Sequence, residues 1–395
     1  MPLPRSAYTV ALQVCVGQRG RFESPASGGG PQHVGSPIEP ESAQDDVVTM
    51  ATGLLADWEH WRTDTRRMGG AVVSTEFGPQ YVGDDALTAR MRLHQSWWRA
   101  ERLRVPFGTD QKGTAYGNYL NEVDAAAGLN FLTPAIHHTA QERMSTGAGV
   151  EPNRCTKNLL SSQPMAFNLF GPLRADPTLA AVLLDPLLPG GVTAASVHIE
   201  WAPPRALHLG DATSFDVAVR YTTRMGLPAL AGVECKLTEP FSQTVYGERP
   251  DDPRTESYRA VARNSQVWLD PEEQLLTDRR WNQVWRNHLL IESIRQREPG
   301  LLGCEIIVHH PLDTRCATAC ADYSEFLANP DDTFRVLTLS RIVETWRPLL
   351  RRAAERRWLG DFADRYVRLE LSERGPVDGE LVVQRGLLAV RKRVT

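Results

Sequence analysis

Two short segments set carboxylates and an ammonium group at spacings that a β-sheet would bring together. SFDVAVRY (Ser214 to Tyr221) and GVECKL (Gly232 to Leu237) both show the period-two alternation of half-buried strands. In the first, Phe215, Val217, Val219 and Tyr221 share one face, while Asp216 points to the other with Ser214 and Ala218. In the second, Val233, Cys235 and Leu237 share one face, and Glu234 and Lys236 lie together on the opposite one. A turn centred on Met225, beside Gly226 and Pro228, makes Asp216 and Glu234 cross-strand neighbours, because the two are equidistant from it. The same arithmetic about His208 sets Glu200, in SVHIEW, against Asp216, across a longer and proline-rich connection (APPRALHLGDA).

Carboxylates held side by side on a sheet repel one another, and a divalent cation between them removes that cost. Donors that are all oxygen favour Mg²⁺, with Mn²⁺ as a substitute, over zinc. A lysine two residues beyond the second carboxylate can hold a water or stabilise negative charge growing at phosphorus. The set therefore suits metal-assisted phosphodiester hydrolysis. Glu-x-Lys alone carries little information, and an exposed sheet face with weak surface ion pairs would show the same three residues.

Such a set needs a sheet with helices packed on it, and the rest of the chain has that pattern. Leu87, Met91, Leu93, Trp97, Trp98 and Leu103 recur at mixed three and four spacings and predict an amphipathic helix within Asp57 to Val105. Trp97 and Trp98 are expected in a core, with Arg99 reaching out to solvent, in preference to a base-stacking platform. The passage from Gly108 to Phe131 reads as loop and short helix. A helix is predicted over Asn158 to Leu173, stopped by Gly171 and Pro172, and another over Leu179 to Leu184. Three strands follow between Ala195 and Leu237, then a long helix over Asp278 to Gln296 and a strand over Leu302 to Val308. A short helix near Tyr323 to Leu327, a strand over Phe334 to Leu339 and an arginine-rich helical stretch Arg341 to Trp358, divided by Pro348, complete the series. This order indicates an α/β fold built on one mixed sheet flanked by helices.

Composition narrows the class. Acidic residues number 48 and basic residues 44, so the net charge of −4 excludes a protein held on nucleic acid by bulk charge. Only four of the basic residues are lysines (Lys112, Lys157, Lys236, Lys392), which makes Lys236 less casual. Six cysteines scattered through 395 residues do not form a disulfide scaffold and point to a reducing cytoplasm. No apolar run is long enough to span a membrane. Residues 1–49 are rich in Gly, Ser and Pro and read as a disordered leader, with Met50 a plausible start of the folded part. The expected divisions are a helical N-terminal region over 50–135, a catalytic core over 136–358 and a strand-like C-terminal tail over 359–395.

Asp216 followed by Glu234-Cys235-Lys236, on a helix-strand-strand-strand-helix-strand layout, resembles the PD-(D/E)XK nuclease superfamily. SSQPMAFNLFGPL, the stretch from SFDVAVRY to VECKLTEPF, and QVWRNHLLIESI together resemble a family of bacterial proteins classed as restriction endonucleases. The resemblance runs from about Asn118 to Glu344, and Phe215 stands where the Pro-Asp form of the motif has proline. It implies a restriction-endonuclease-like core and a Mg²⁺-dependent DNA endonuclease leaving 5′-phosphate and 3′-hydroxyl ends, in restriction or phage defence. It further implies Asp216 and Glu234 as metal ligands, helped by the main-chain carbonyl of Cys235, and Lys236 as the residue that positions or activates water. Glu200 is a weaker third carboxylate. DNA is the expected partner, no membrane is expected, and a homodimer is left open.

The remaining candidates have plainer explanations beside them. Gln283, Arg286 and Asn287 lie within about a turn of one helix and could meet DNA phosphates or the edge of the site, or form a solvated face. His309, His310, Cys316 and Cys320 are zinc-capable in type but depart from zinc spacing, so ordinary helical cysteines are expected. Arg351, Arg352, Arg356 and Arg357 form either a phosphate-contacting stripe or a surface helix. From a different functional class, a catalytically idle nucleic-acid-binding or assembly module would keep the fold without cutting.

Overall fold

The computed structural model describes residues 72–146, 149–247, 252–373, 379–384 and 387–392. The leader expected over 1–49, the start at Met50 and the helical pattern from Asp57 to Gly70 lie outside them.

At the centre is a five-stranded sheet in the order β5 (Ala194–Trp201), β6 (Phe215–Thr222), β7 (Pro228–Lys236), β8 (Leu302–His309) and β9 (Phe334–Thr338). The pairs β5–β6 and β6–β7 are antiparallel and β7–β8 and β8–β9 are parallel, so the sheet is mixed as expected. Its β6–β7 connection turns at Met225, which is 84% exposed, and Gly226 takes a φ of 78° that a side chain would resist. Because β7, β8 and β9 run the same way, Lys236, His309 and Thr338 end side by side on one edge of the sheet. In open α/β sheets that carboxyl edge is where sites collect.

Both faces are covered. One packs against α3 (Ser162–Ala175), α4 (Pro177–Leu184), α8 (Leu339–Trp346) and α9 (Ala353–Tyr366), through Val197, Val217, Val219, Val233 and Val308. The other packs against α5 (Pro253–Ser265), α6 (Asn282–Arg297) and α7 (Thr314–Ser324), through Leu230 and Ile307. Each of these valines, fully removed from water, contributes about 1.5–3 kcal/mol.

Several elements differ from their expected limits for identifiable reasons. Helix α3 continues past Gly171 and Pro172 to Ala175. The carbonyl of Asn168 that Pro172 cannot serve accepts instead from the indole Nε1 of Trp358 at 2.7 Å, so the usual penalty of an internal proline is softened. Helix α7 starts at Thr314, earlier than the expected Tyr323, because Asp313 caps it by accepting from the Cys316 amide at 3.1 Å. Pro348 does divide the arginine-rich stretch, and α9 then crosses position 358 with Trp358, Leu359, Phe362 and Tyr366 buried in the main core.

The region before α3 is mixed and not simply helical. Helix α1 (Ala86–Trp97) and α2 (Pro134–Ser145) are joined there by β1 (Val72–Thr75) and β2 (Gly78–Tyr81), and by a hairpin of β3 (Phe107–Thr109) and β4 (Ala115–Leu120). The passage expected as loop and short helix holds this hairpin, closed by Asp110, whose Oδ1 accepts from the amides of Lys112 and Thr114, and then the expected short helix, over Glu122–Ala126 and capped by Asn121. Trp97 and Trp98 are core residues as expected, but Arg99 is 5% exposed. It is turned inward and donates to the carbonyls of Gly117 and Phe77, both at 2.7 Å. The tail contributes β10 (Gly379–Gln384) and β11 (Leu387–Lys392), the latter pairing with β1. Among the described residues, no helix is long and apolar enough to cross a membrane.

Candidate active site

The hairpin register is the one that the turn arithmetic requires. Val217 opposes Val233, so one step further along each strand Asp216 stands against Glu234. On the other side Ile199 opposes Val217 and Trp201 opposes Phe215, which brackets Glu200 against Asp216. Glu200 itself leaves the ladder with a φ of 54°, a left-handed conformation costing a non-glycine residue about 1–3 kcal/mol. Arg143 on α2 holds the distortion by donating from Nε to the Glu200 carbonyl at 3.0 Å. Gly232 is needed nearby, because a Cβ there would come within 2.5 Å of the Phe215 ring.

Hydrogen bonds then aim the side chains. Asp216 Oδ2 accepts from the Cys235 amide at 2.7 Å. Glu234, 5% exposed, takes three donors: Gln283 Nε2 at 2.8 Å, Asn287 Nδ2 at 3.0 Å and Lys236 Nζ at 2.8 Å. Gln283 and Asn287 are four apart on α6 and so present one face to the strand. The Gln283 Oε1 in turn accepts from Lys236 Nζ at 3.1 Å and from the Ser242 amide at 2.7 Å, which makes it a clamp between the carboxylate and the ammonium. Lys236 Nζ also lies 5.1 Å from the centre of the Phe241 ring. Glu200 Oε1 accepts from Gln163 Nε2 at 3.0 Å, at the start of α3.

Crowding of negative charge away from water shows in the protonation equilibria. Burial, and after it the charges of Glu234 and Glu200, push the Asp216 carboxyl well above the usual carboxylate range. Glu200 is pushed up to about 7, chiefly by burial, with the Gln163 hydrogen bond opposing and the Glu234 charge adding to the rise. For Lys236, burial would lower the ammonium, but Glu234 and Asp216 outweigh it and the net shift is upward. Glu305 on β8 is fully buried with neither oxygen hydrogen-bonded, and burial followed by the Glu234 charge raises it well above its ordinary value.

The donors available to a cation are oxygen only. Among the described residues, neither Asp216 Oδ1 nor Glu200 Oε2 receives a hydrogen bond. In kind, these oxygens match a hard divalent ion, and three crowded carboxylates are an excess of negative charge that such an ion would relieve. No group of three or more His, Cys, Asp or Glu side chains among the described residues already stands as a metal cage.

Gln283 and Asn287 thus sit in the cluster itself. Arg286 does not join it: the side chain is buried, donates to Thr213 Oγ1 at 3.1 Å and Asn282 Oδ1 at 3.2 Å, and lies 4.7 Å from the Tyr246 ring centre. It faces the interior, where Asp211 stands 4.0 Å away as its ion-pair partner. Cys316 and Cys320 are buried one turn apart on α7, and His310 Nδ1 accepts from the Leu312 amide at 3.1 Å. Gln163 was not singled out from the sequence. It lies in the SSQPM stretch, but nothing in local spacing shows that it reaches Glu200.

A family model of the PD-(D/E)XK nuclease superfamily matches residues 82–368, well over half of the chain and more than the stretch from Asn118 to Glu344. Comparisons with curated proteins and with solved structures gave no match.

Proposed function

Because the chain belongs to the PD-(D/E)XK nuclease superfamily, we propose that it is a divalent-metal-dependent DNA endonuclease with Asp216, Glu234 and Lys236 as its catalytic residues. The observation that carries the reading is the joining of three carboxylates on neighbouring strands to a buried lysine clamped by Gln283. Asp216, Glu234 and the main-chain carbonyl of Cys235 would hold Mg²⁺ or Mn²⁺, with Glu200 as a further oxygen donor. When bound, the ion would offset the charge of the phosphodiester and make water a better nucleophile at neutral pH.

The residues around that position have separable tasks. An ammonium has three protons to donate; Lys236 gives one to Glu234 Oε1 and one to Gln283 Oε1, and keeps one for a phosphate oxygen or for the attacking water. Because neighbouring carboxylates hold it in the charged form, it acts as a donor to growing negative charge and not as a base. Asn287 and Gln283 fix the Glu234 carboxylate, so little reorientation is needed during the reaction. The Cys235 amide does the same for Asp216.

The test is to incubate the full chain with supercoiled plasmid and linear duplex, with Mg²⁺, with Mn²⁺ and with chelator. Nicked or linearised plasmid in either metal, and none in chelator, is the expected result. Intact plasmid and linear DNA in both metals, with DNA binding retained, would favour the idle module.

A further inference from the structure

Beyond Lys236 the protein opens into a cavity of about 460 Å³ between the segment that follows β7 and the solvent side of α7. Pro240, Phe241, Cys316 and Ala319 give it an apolar lining. Arg280 and Arg315, with side chains 57% and 53% exposed, stand on its solvent side. Both are held in place: Arg280 pairs with Asp322 at 3.1 Å, and Arg315 pairs with Asp85 at 3.0 Å and donates to the Thr238 carbonyl at 3.0 Å.

Charge decides what would enter. Lys236, Arg280 and Arg315 are matched by Glu239, Asp313 and Asp322 in the same lining, so the interior offers no net positive charge to a phosphate. A phosphate group would lose its hydration there without adequate return, whereas a flat neutral ring would gain by leaving water against Phe241 and Ala319. The volume falls within the range of small-molecule sites. In a duplex each base is stacked and paired, and only an unpaired or extruded base can enter a recessed pocket.

Resting on the nuclease reading, we propose that this cavity receives one unpaired nucleobase of the strand being cut, beside the phosphodiester that Lys236 faces. The chain accordingly acts on single-stranded or unpaired positions in preference to paired duplex. The test uses the metal-free full chain in chelator. It is titrated with a short single strand carrying 2-aminopurine at successive positions and with the matching duplex. The single strand should bind at least tenfold tighter, with the emission of 2-aminopurine changing at one position. Thr318→Trp, at an exposed lining position of α7, should fill the space and lower the single-strand preference at least tenfold, while Thr318→Ala keeps it. Equal binding of the two DNAs, or an unchanged preference in Thr318→Trp, would overturn the proposal. Binding in chelator does not depend on cleavage, so the two readings fail separately. A chain that captures the base yet cuts nothing in Mg²⁺ or Mn²⁺ contradicts the nuclease reading. A chain that cuts DNA in Mg²⁺ or Mn²⁺ but binds single strand and duplex equally in chelator contradicts the cavity reading alone.

Discussion

Replacing Glu200 by glutamine should make the metal-free protein more stable at alkaline pH, and the structure sets the size of the effect. The Glu200 carboxyl rises from 4.5 to about 7 on folding, mainly through burial. A folded-state value raised above the unfolded one means that the folded protein binds the proton more tightly. Stability from this group is then fully present below about 4.5, falls as pH rises toward 7, and stays low above it. At about 1.36 kcal/mol for each pH unit, the loss amounts to about 3 kcal/mol. Glutamine keeps an oxygen for the Gln163 donor at Oε1 and removes the charge, so the fold needs no rearrangement. Urea unfolding in chelator at pH 5 and pH 8 reads the effect directly. Wild type should lose stability between the two, and Glu200→Gln should recover about 2–3 kcal/mol at pH 8 while changing little at pH 5. Mg²⁺ should narrow the gap at pH 8, because a bound cation stabilises the wild-type carboxylates. Identical slopes with pH in the two proteins would refute the claim that Glu200 is a buried, charge-crowded acid.

Asp216→Asn keeps an acceptor for the Cys235 amide and relieves repulsion, so in chelator it should melt above wild type, whereas Glu234→Ala strands the Lys236 ammonium and should lose about 3–5 kcal/mol; calorimetry should show most Mg²⁺ affinity gone in both. Gln283→Leu removes partners from Glu234, Lys236 and the Ser242 amide at once, and should cost about 2–4 kcal/mol in urea unfolding and slow cleavage without greatly weakening DNA binding. Arg286→Ala should destabilise by about 2–4 kcal/mol yet leave the salt dependence of DNA binding unchanged, since its donors face Thr213 and Asn282; a shallower salt slope would restore it to the DNA surface.

The sheet was legible because its signals are local. Alternation in SFDVAVRY and GVECKL and a turn at Met225 are enough to set Asp216 against Glu234, and the pairing of Val217 with Val233 follows that register. Glu200 was reachable by the same arithmetic, but its left-handed backbone was not, since it depends on Arg143 from a distant helix. Contacts across long sequence separations were out of reach. Gln163 meets Glu200 and Gln283 meets Lys236 only after helices pack on both faces of the sheet. Arg286 misled because helical spacing places it near Gln283 and Asn287 without showing which residues face inward. Pro172 misled for a related reason: its usual helix-stopping effect is offset by Trp358, 186 positions later.

Lys236 offers the sharpest test, because a buried structural ion pair and a transition-state donor predict different rates. Single-turnover cleavage of a short DNA in Mg²⁺ by Lys236→Ala, with folding checked by circular dichroism and DNA binding measured in parallel, separates them. The account predicts retained binding and a cleavage rate lower by about 10²-fold or more, the loss expected when a donor to growing charge is removed. A folded variant that binds DNA and cuts within about threefold of wild type, a barrier change well under the 1.36 kcal/mol that marks roughly tenfold, would contradict it.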